Sequence, residues 1–254
     1  MGNSPAHRLC LITLLGFLPA GVWPGPPAAP IVIRADRPDS LYLALGSQFH
    51  AVAQVGHAGD GTLIADRWIL TAGHVAAGLN LQRARVNLGG RSYTILRAVV
   101  HPRWKELGPH DIGLLELSEP VTGVAPLALF AGSDEKGQLA TLVGHGDTRT
   151  GKGGPWITDG RARGCISRVV SVQDGVLVFR FDAPPAGPDL AGAPGRGDSG
   201  GPALLRVGSS VYVAGVSSAG FDGLNGPGTY GAVDHFTRVS TYRTWILGVV
   251  AAPH

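Results

Sequence analysis

The chain has 254 residues, 44% of them apolar and 15% charged, with a formal net charge of +3. That composition supplies a sizeable core and excludes an intrinsically disordered chain. The positive charge is spread along the sequence without a basic run and so gives no ground for a nucleic-acid partner. The 39 glycines and 19 prolines suit many short strands joined by tight turns within one all-β domain.

At the N-terminus, His7 and Arg8 precede the apolar run Leu9 to Leu18, followed by Pro19-Ala20-Gly21 and a Pro/Ala-rich stretch through Pro30. The run is short for a membrane span and reads as an export signal, so residues 1–30 are assigned to a signal peptide with a possible short pro-segment. Ala20 and Ala29 are the candidate cleavage positions, and an uncleaved N-terminal anchor is the alternative. The expected product is a secreted protein, extracellular or periplasmic, monomeric and without stable membrane association. Of the two cysteines, Cys10 lies in this segment. Cys165 alone then remains, which excludes an intramolecular disulfide, and its position before Ile166-Ser167-Arg168-Val169-Val170 reads as a buried small hydrophobe.

Beyond residue 30, short β-rich runs recur with turn residues between them: Arg67 to Thr71, Ser92 to Val100, Ile112 to Leu117, Leu139 to Val143, Val176 to Phe181 and Val211 to Val216. They predict paired antiparallel barrels, not βαβ units. The segment Ser240 to Val250 opens on a serine suited to capping and spaces Tyr242, Trp245, Ile246 and Val249 as one helical face, which predicts a C-terminal helix with Trp245 engaged in packing.

Three motifs carry chemistry. Thr71-Ala72-Gly73-His74 follows the first of those runs, Asp111-Ile112-Gly113-Leu114-Leu115-Glu116-Leu117 comes next, and Gly197-Asp198-Ser199-Gly200-Gly201-Pro202 lies downstream. A serine hydroxyl is a weak nucleophile at neutral pH and needs a base to take its proton; histidine titrates in that range, and a carboxylate can fix its tautomer. The chain order His, Asp, Ser belongs to one convergent form of this constellation and not to the subtilisin or α/β-hydrolase forms.

With these motifs in that order, the chain from about Ile31 to its end resembles the trypsin/chymotrypsin family of serine peptidases. The resemblance implies two antiparallel six-stranded β-barrels with a catalytic cleft between them and a C-terminal helix. It places barrel 1 at about 31–130, barrel 2 at about 131–239 and the helix at about 240–250, within a peptidase domain spanning 31–254. It also implies a secreted serine endopeptidase acting on protein or peptide substrates through an acyl-enzyme. His74 would be the general base, Asp111 its orienting carboxylate and Ser199 the nucleophile, with the N–H groups of Gly197 and Ser199 forming the oxyanion hole. Asp198 would pair with a new N-terminus at Ile31, although Ile33 and Arg34 replace two usual glycines and Pro30 is not a basic activation residue. A catalytically silent homologue serving as a binding module, and an esterase using the same acyl chemistry, are the alternatives.

The pocket for the residue before the scissile bond has its floor six residues before the nucleophile in this family, here Ala193. An uncharged floor argues against basic substrates, but aligning Phe236-Thr237-Arg238-Val239 with the strand that closes the pocket brings Asp234 to its wall. A two-residue shift would bring Ala232 there instead. Ser218-Ala219-Gly220 matches the segment that pairs with substrate as an added strand, with Ala219 where a tryptophan is usual. Gly144-His145-Gly146-Asp147 resembles a glycine-rich turn of the second barrel, where an aromatic is common in place of His145. The histidines other than His74 form no metal-ligand spacing, so neither a metal site nor a cofactor is expected.

Overall fold

A computed structural model describes residues 31–106 and 109–252, and the export signal expected over residues 1–30 lies outside them. The chain enters through strand β1 (Val32–Ile33) and helix α1 (Asp39–Gly46). It then forms β2 (Val52–Val55), β3 (Gly59–Ala65), β4 (Trp68–Thr71), helix α2 (Gly73–Ala77), β5 (Arg85–Leu88), β6 (Arg91–Val100) and β7 (Gly113–Leu117). These six strands close into a barrel in the order β2-β3-β4-β7-β6-β5.

The second half contains β8 (Ala128–Leu129), β9 (Leu139–Gly144), β10 (Thr148–Thr150), β11 (Gly153–Ile157), β12 (Arg163–Gln173), β13 (Val176–Arg180), β14 (Gly192–Ala193), β15 (Pro202–Val207), β16 (Ser210–Phe221) and β17 (Val233–Arg238). The ring β15-β9-β12-β13-β17-β16 closes through the β15–β16 pairing, and β8 adds to its β16 side. Helix α3 (Val239–Ala251) ends the fold. The two closed barrels and the terminal helix are the architecture that the motifs imply.

Alternation of side chains builds each core. Tyr93 and Ile95 point inward from β6, and Cys165, Ser167 and Val169 point inward from β12, as the period of two requires. Leu63, Ile69, Leu70, Val86 and Leu114 fill the first barrel; Leu142, Val169, Leu177, Phe179 and Phe236 fill the second. Each such side chain contributes roughly 1.5–3 kcal/mol on burial. Cys165 is fully buried and unpaired, and burial pushes its thiol well above the usual range, which leaves it inert.

Two local expectations differ from the structure. β1, at the start of the range expected for barrel 1, pairs with β10 and β14 of the second half. Helix α1 packs on that half too: Arg163 of β12, 2% exposed at its side chain, holds Asp39 and Asp159 together. Ser240 does not cap α3, whose N-cap is Arg238 without a side-chain cap; the Ser240 hydroxyl donates instead to Glu135, which also takes a bidentate pair from Arg238. A buried carboxylate outcompetes the helix end for that hydroxyl because its bonds are charge-assisted. Trp245 packs against the first core, with its ring 4.9 Å from that of His101.

Candidate active site

β4 runs out of the first barrel at Thr71, and the chain turns through Ala72 directly into α2, which carries His74. Asp111 lies two residues before β7. The Asp111 carboxylate meets His74 twice: Oδ2 lies 2.7 Å from the imidazole Nδ1, and Oδ1 accepts the His74 backbone N–H at 2.8 Å. The second barrel completes the setting, since the Ser218 hydroxyl donates to Asp111 Oδ2 at 2.7 Å and the Thr237 hydroxyl donates to the Asp111 carbonyl at 2.7 Å. Burial pushes the Asp111 carboxyl up, but the bonds and charge of His74, with the Ser218 hydroxyl, outweigh it and hold the group below its ordinary range. Asp111 is therefore an anion bonded to Nδ1, which leaves Nε2 as the free face of a ring whose side chain is 37% exposed.

Ser199 is held against the first barrel by close backbone contacts. Its carbonyl accepts the Asp60 N–H at 2.7 Å, and the Asp60 carbonyl in turn accepts the Thr71 hydroxyl at 2.6 Å. One chain of bonds thus ties the serine loop to the residue that launches the His74 helix. The approach excludes side chains: a Cβ at Gly59 would lie 2.3 Å from the Ser199 carbonyl oxygen, and one at Gly200, whose φ is +83°, would lie 2.2 Å from Thr71 Oγ1. Gly197 has φ +94°, a conformation that glycine adopts without strain.

Asp198, beside the serine, is buried. Its carboxylate accepts N–H groups from Gly195 at 2.8 Å and Gly146 at 3.1 Å and has no cationic partner among the described residues. Ile31, expected to supply an ammonium there, is buried one residue before the pairing of Val32 with Ala193 and continues from residue 30, so it carries no free amine. Burial and the nearby Asp60 carboxylate push Asp198 well above the usual carboxylate range. Asp60 itself bonds His145, through the ring Nδ1 and the backbone N–H, both at 2.8 Å. Burial opposes charge on this imidazole, but the Asp60 carboxylate outweighs that and raises it.

The pocket beside Ser199 is lined by Gly195, Gly197, Ser199, Gly220, Trp156 and Asp234, among others. Asp234 pairs with Gly220 across β16–β17, and a Cβ on Gly220 would lie 2.9 Å from its Oδ1, so the glycine leaves the carboxylate open to the pocket. No hydrogen bond reaches that carboxylate among the described residues, and burial pushes it up to about 8. Ala193 is buried in β14 against Val32 and stands outside the lining, as does Ala232. Ser218 and Ala219 line the adjoining cleft with His110 and Asp111.

The structure thus brings His74, Asp111 and Ser218 into one hydrogen-bonded group and sets Ser199, Gly197, Gly220 and Asp234 around one pocket. Sequence reasoning missed the roles of Ser218 and Thr237 on Asp111 and the Asp60–His145 pair. The available signal for the last was an aspartate between two glycines, Gly59-Asp60-Gly61, at the start of a strand that continues Thr62-Leu63-Ile64-Ala65.

A family model described as Trypsin matches residues 43–246. The chain belongs to the trypsin family. Among its relatives are chymotrypsin-like elastase family member 1 of Canis lupus familiaris, 28% identical over 231 residues, which cover 83% of this chain and 85% of the relative. The Homo sapiens protein of that name is 29% identical over 233 residues with the same coverage. Complement C1s-1 subcomponent of Mus musculus is 32% identical over 229 residues, 74% of this chain but 31% of that longer protein. Membership of this serine peptidase family supports a hydrolase.

Proposed function

We propose that the protein is a secreted serine endopeptidase that cleaves after basic residues. Ser199 attacks the scissile carbonyl while His74 Nε2 takes its proton. The imidazolium that forms is stabilised by Asp111, and the proton passes to the leaving amine as the acyl-enzyme appears. Water then repeats the sequence in reverse. The N–H groups of Gly197 and Ser199 would stabilise the oxyanion, an interaction whose loss typically costs on the order of 10²–10³ in turnover. The observation that carries the reading is the doubly bonded Asp111–His74 pair, carried just past the end of β4, together with a serine loop tied through Asp60 to Thr71 at that same strand end.

Asp234 supports the basic preference. A buried carboxylate without hydrogen-bond donors among the described residues, lining the pocket, gains its missing partners when an arginine or lysine enters. Cleavage before Ile31 belongs to the same reading, because a freed ammonium would compensate the buried Asp198 carboxylate. The test compares arginyl, leucyl and phenylalanyl peptides as substrates of the wild type and of Asp234→Ala, on secreted material whose N-terminus has been sequenced. Arginyl peptides should lead for the wild type and lose that lead in the variant; an unchanged order refutes the role of Asp234. Full activity in material that begins upstream of Ile31 refutes the maturation step.

A further inference from the structure

The rim of the same pocket carries charge of the opposite sign. Trp156, near the end of β11, is flanked by two guanidinium groups: the Arg149 carbon lies 3.9 Å from the centroid of its ring system and the Arg196 carbon 4.6 Å. The two charged carbons are therefore no farther apart than the sum of those distances, within about one screening length at physiological salt. Arg149 donates an Nη2 bond to the Pro227 carbonyl, yet the Nε atoms of both Arg149 and Arg196 are buried without any partner among the described residues. Neither guanidinium forms an ion pair with a carboxylate among the described residues. Asp222, on the same pocket wall, exerts only a distant pull on Arg149. Burial and the like charge of Arg196 both disfavour the charged form of Arg149.

Two cations stacked on one aromatic ring, each with an N–H that has lost water and gained nothing, make a site short of an anion. Arg196 and Trp156 share the pocket lining with Ser199, so whatever neutralises the pair would lie next to the scissile bond of a bound peptide. We propose that Arg149, Trp156 and Arg196 form a carboxylate subsite that takes an acidic side chain of the substrate, flanking the residue that enters the Asp234 pocket. A carboxylate that enters beside this pair can accept charge-assisted N–H bonds from both guanidinium groups, which a neutral amide of the same shape cannot match in charge. The preferred sequence is then dipolar, with a basic residue in the pocket and an acidic one beside it. The proposal rests on the peptidase reading and deepens it.

The test uses peptides acetylated and amidated at their ends, so that no terminal carboxylate competes. They carry arginine or leucine at the cleavage position and glutamate or glutamine at each flanking position in turn. The expected result is a glutamate-over-glutamine advantage of about tenfold in kcat/KM at one flanking position, diminished by added salt. Arg196→Gln should remove the advantage and Arg196→Lys should keep part of it; Arg149→Gln should weaken it. Equal rates for glutamate and glutamine at every position, or an advantage that survives both glutamine variants, overturns the subsite. If no peptide is cleaved, the peptidase reading falls by itself. The subsite is then judged by titrating the Ser199→Ala protein with the same peptides and following tryptophan fluorescence. Tighter, Arg196-dependent binding of the glutamate peptides supports it, and equal binding overturns it.

Discussion

Replacing Asp234 by asparagine should make the fold more stable at alkaline pH while leaving it nearly unchanged in acid. The side chain is buried, accepts no hydrogen bond among the described residues, and is pushed by burial from its ordinary 3.8 up to about 8. The folded state therefore prefers the protonated acid. The contribution favourable to folding is fully present below about pH 4 and is lost progressively as pH rises through about 8, above which both states are ionised and the loss is complete. A displacement of about four units corresponds to a total on the order of 5 kcal/mol, of which about 4 falls between roughly pH 5 and pH 9. Asparagine has the same shape and does not titrate, so the difference between the two proteins isolates this one group from every other titration they share. Urea unfolding of wild type and Asp234→Asn at about pH 5, 7 and 9 gives the difference directly. The variant should gain on the wild type by several kcal/mol across that range. A difference that stays constant with pH would refute the argument, because it would mean that the carboxylate is solvated and titrates in the folded protein as it does in the unfolded chain.

Three further outcomes follow from the same geometry. Gly144→Ala should destabilise the fold by roughly 1–3 kcal/mol or more, since the new Cβ would lie 1.9 Å from Asp198 Oδ1; the urea midpoint reads this. Arg163→Ala, which strips a nearly buried guanidinium from two carboxylates, should cost about 3 kcal/mol in the same assay. Ser218→Ala removes one of the bonds to the Asp111 carboxylate and leaves more of its charge to the His74 imidazolium, so the acidic limb of the kcat/KM profile, which the base His74 sets, should move to higher pH while the fold is retained.

The barrels were legible in the sequence because alternation is a local signal: the runs Ser92 to Val100 and Leu139 to Val143 emerge as strands almost residue for residue. β1 was not legible as part of the second half, because a two-residue strand carries no period and its partners lie more than a hundred residues away. His74, Asp111 and Ser199 stood out because each sits in a short motif with small neighbours. Asp60 and His145, 85 residues apart, meet only after the barrels close, and Ser240 was drawn from its expected cap by a glutamate 105 residues distant. Arg149, Trp156 and Arg196 likewise belong to a strand, its hairpin partner and a loop, and nothing in their separate neighbourhoods marks them as a group. Local chemistry announced the reacting residues, whereas the residues that set charge around them depend on long-range packing.

Covalent labelling is the decisive measurement of whether Ser199 is a nucleophile activated by His74. Purified protein of known N-terminus is treated with a fluorophosphonate, and the adduct is located by peptide mass spectrometry. The predicted result is a single stoichiometric adduct on Ser199, absent in Ser199→Ala and at least about a thousandfold slower in His74→Ala. An adduct on another residue, or peptide hydrolysis that proceeds undiminished in the Ser199→Ala protein, would contradict it.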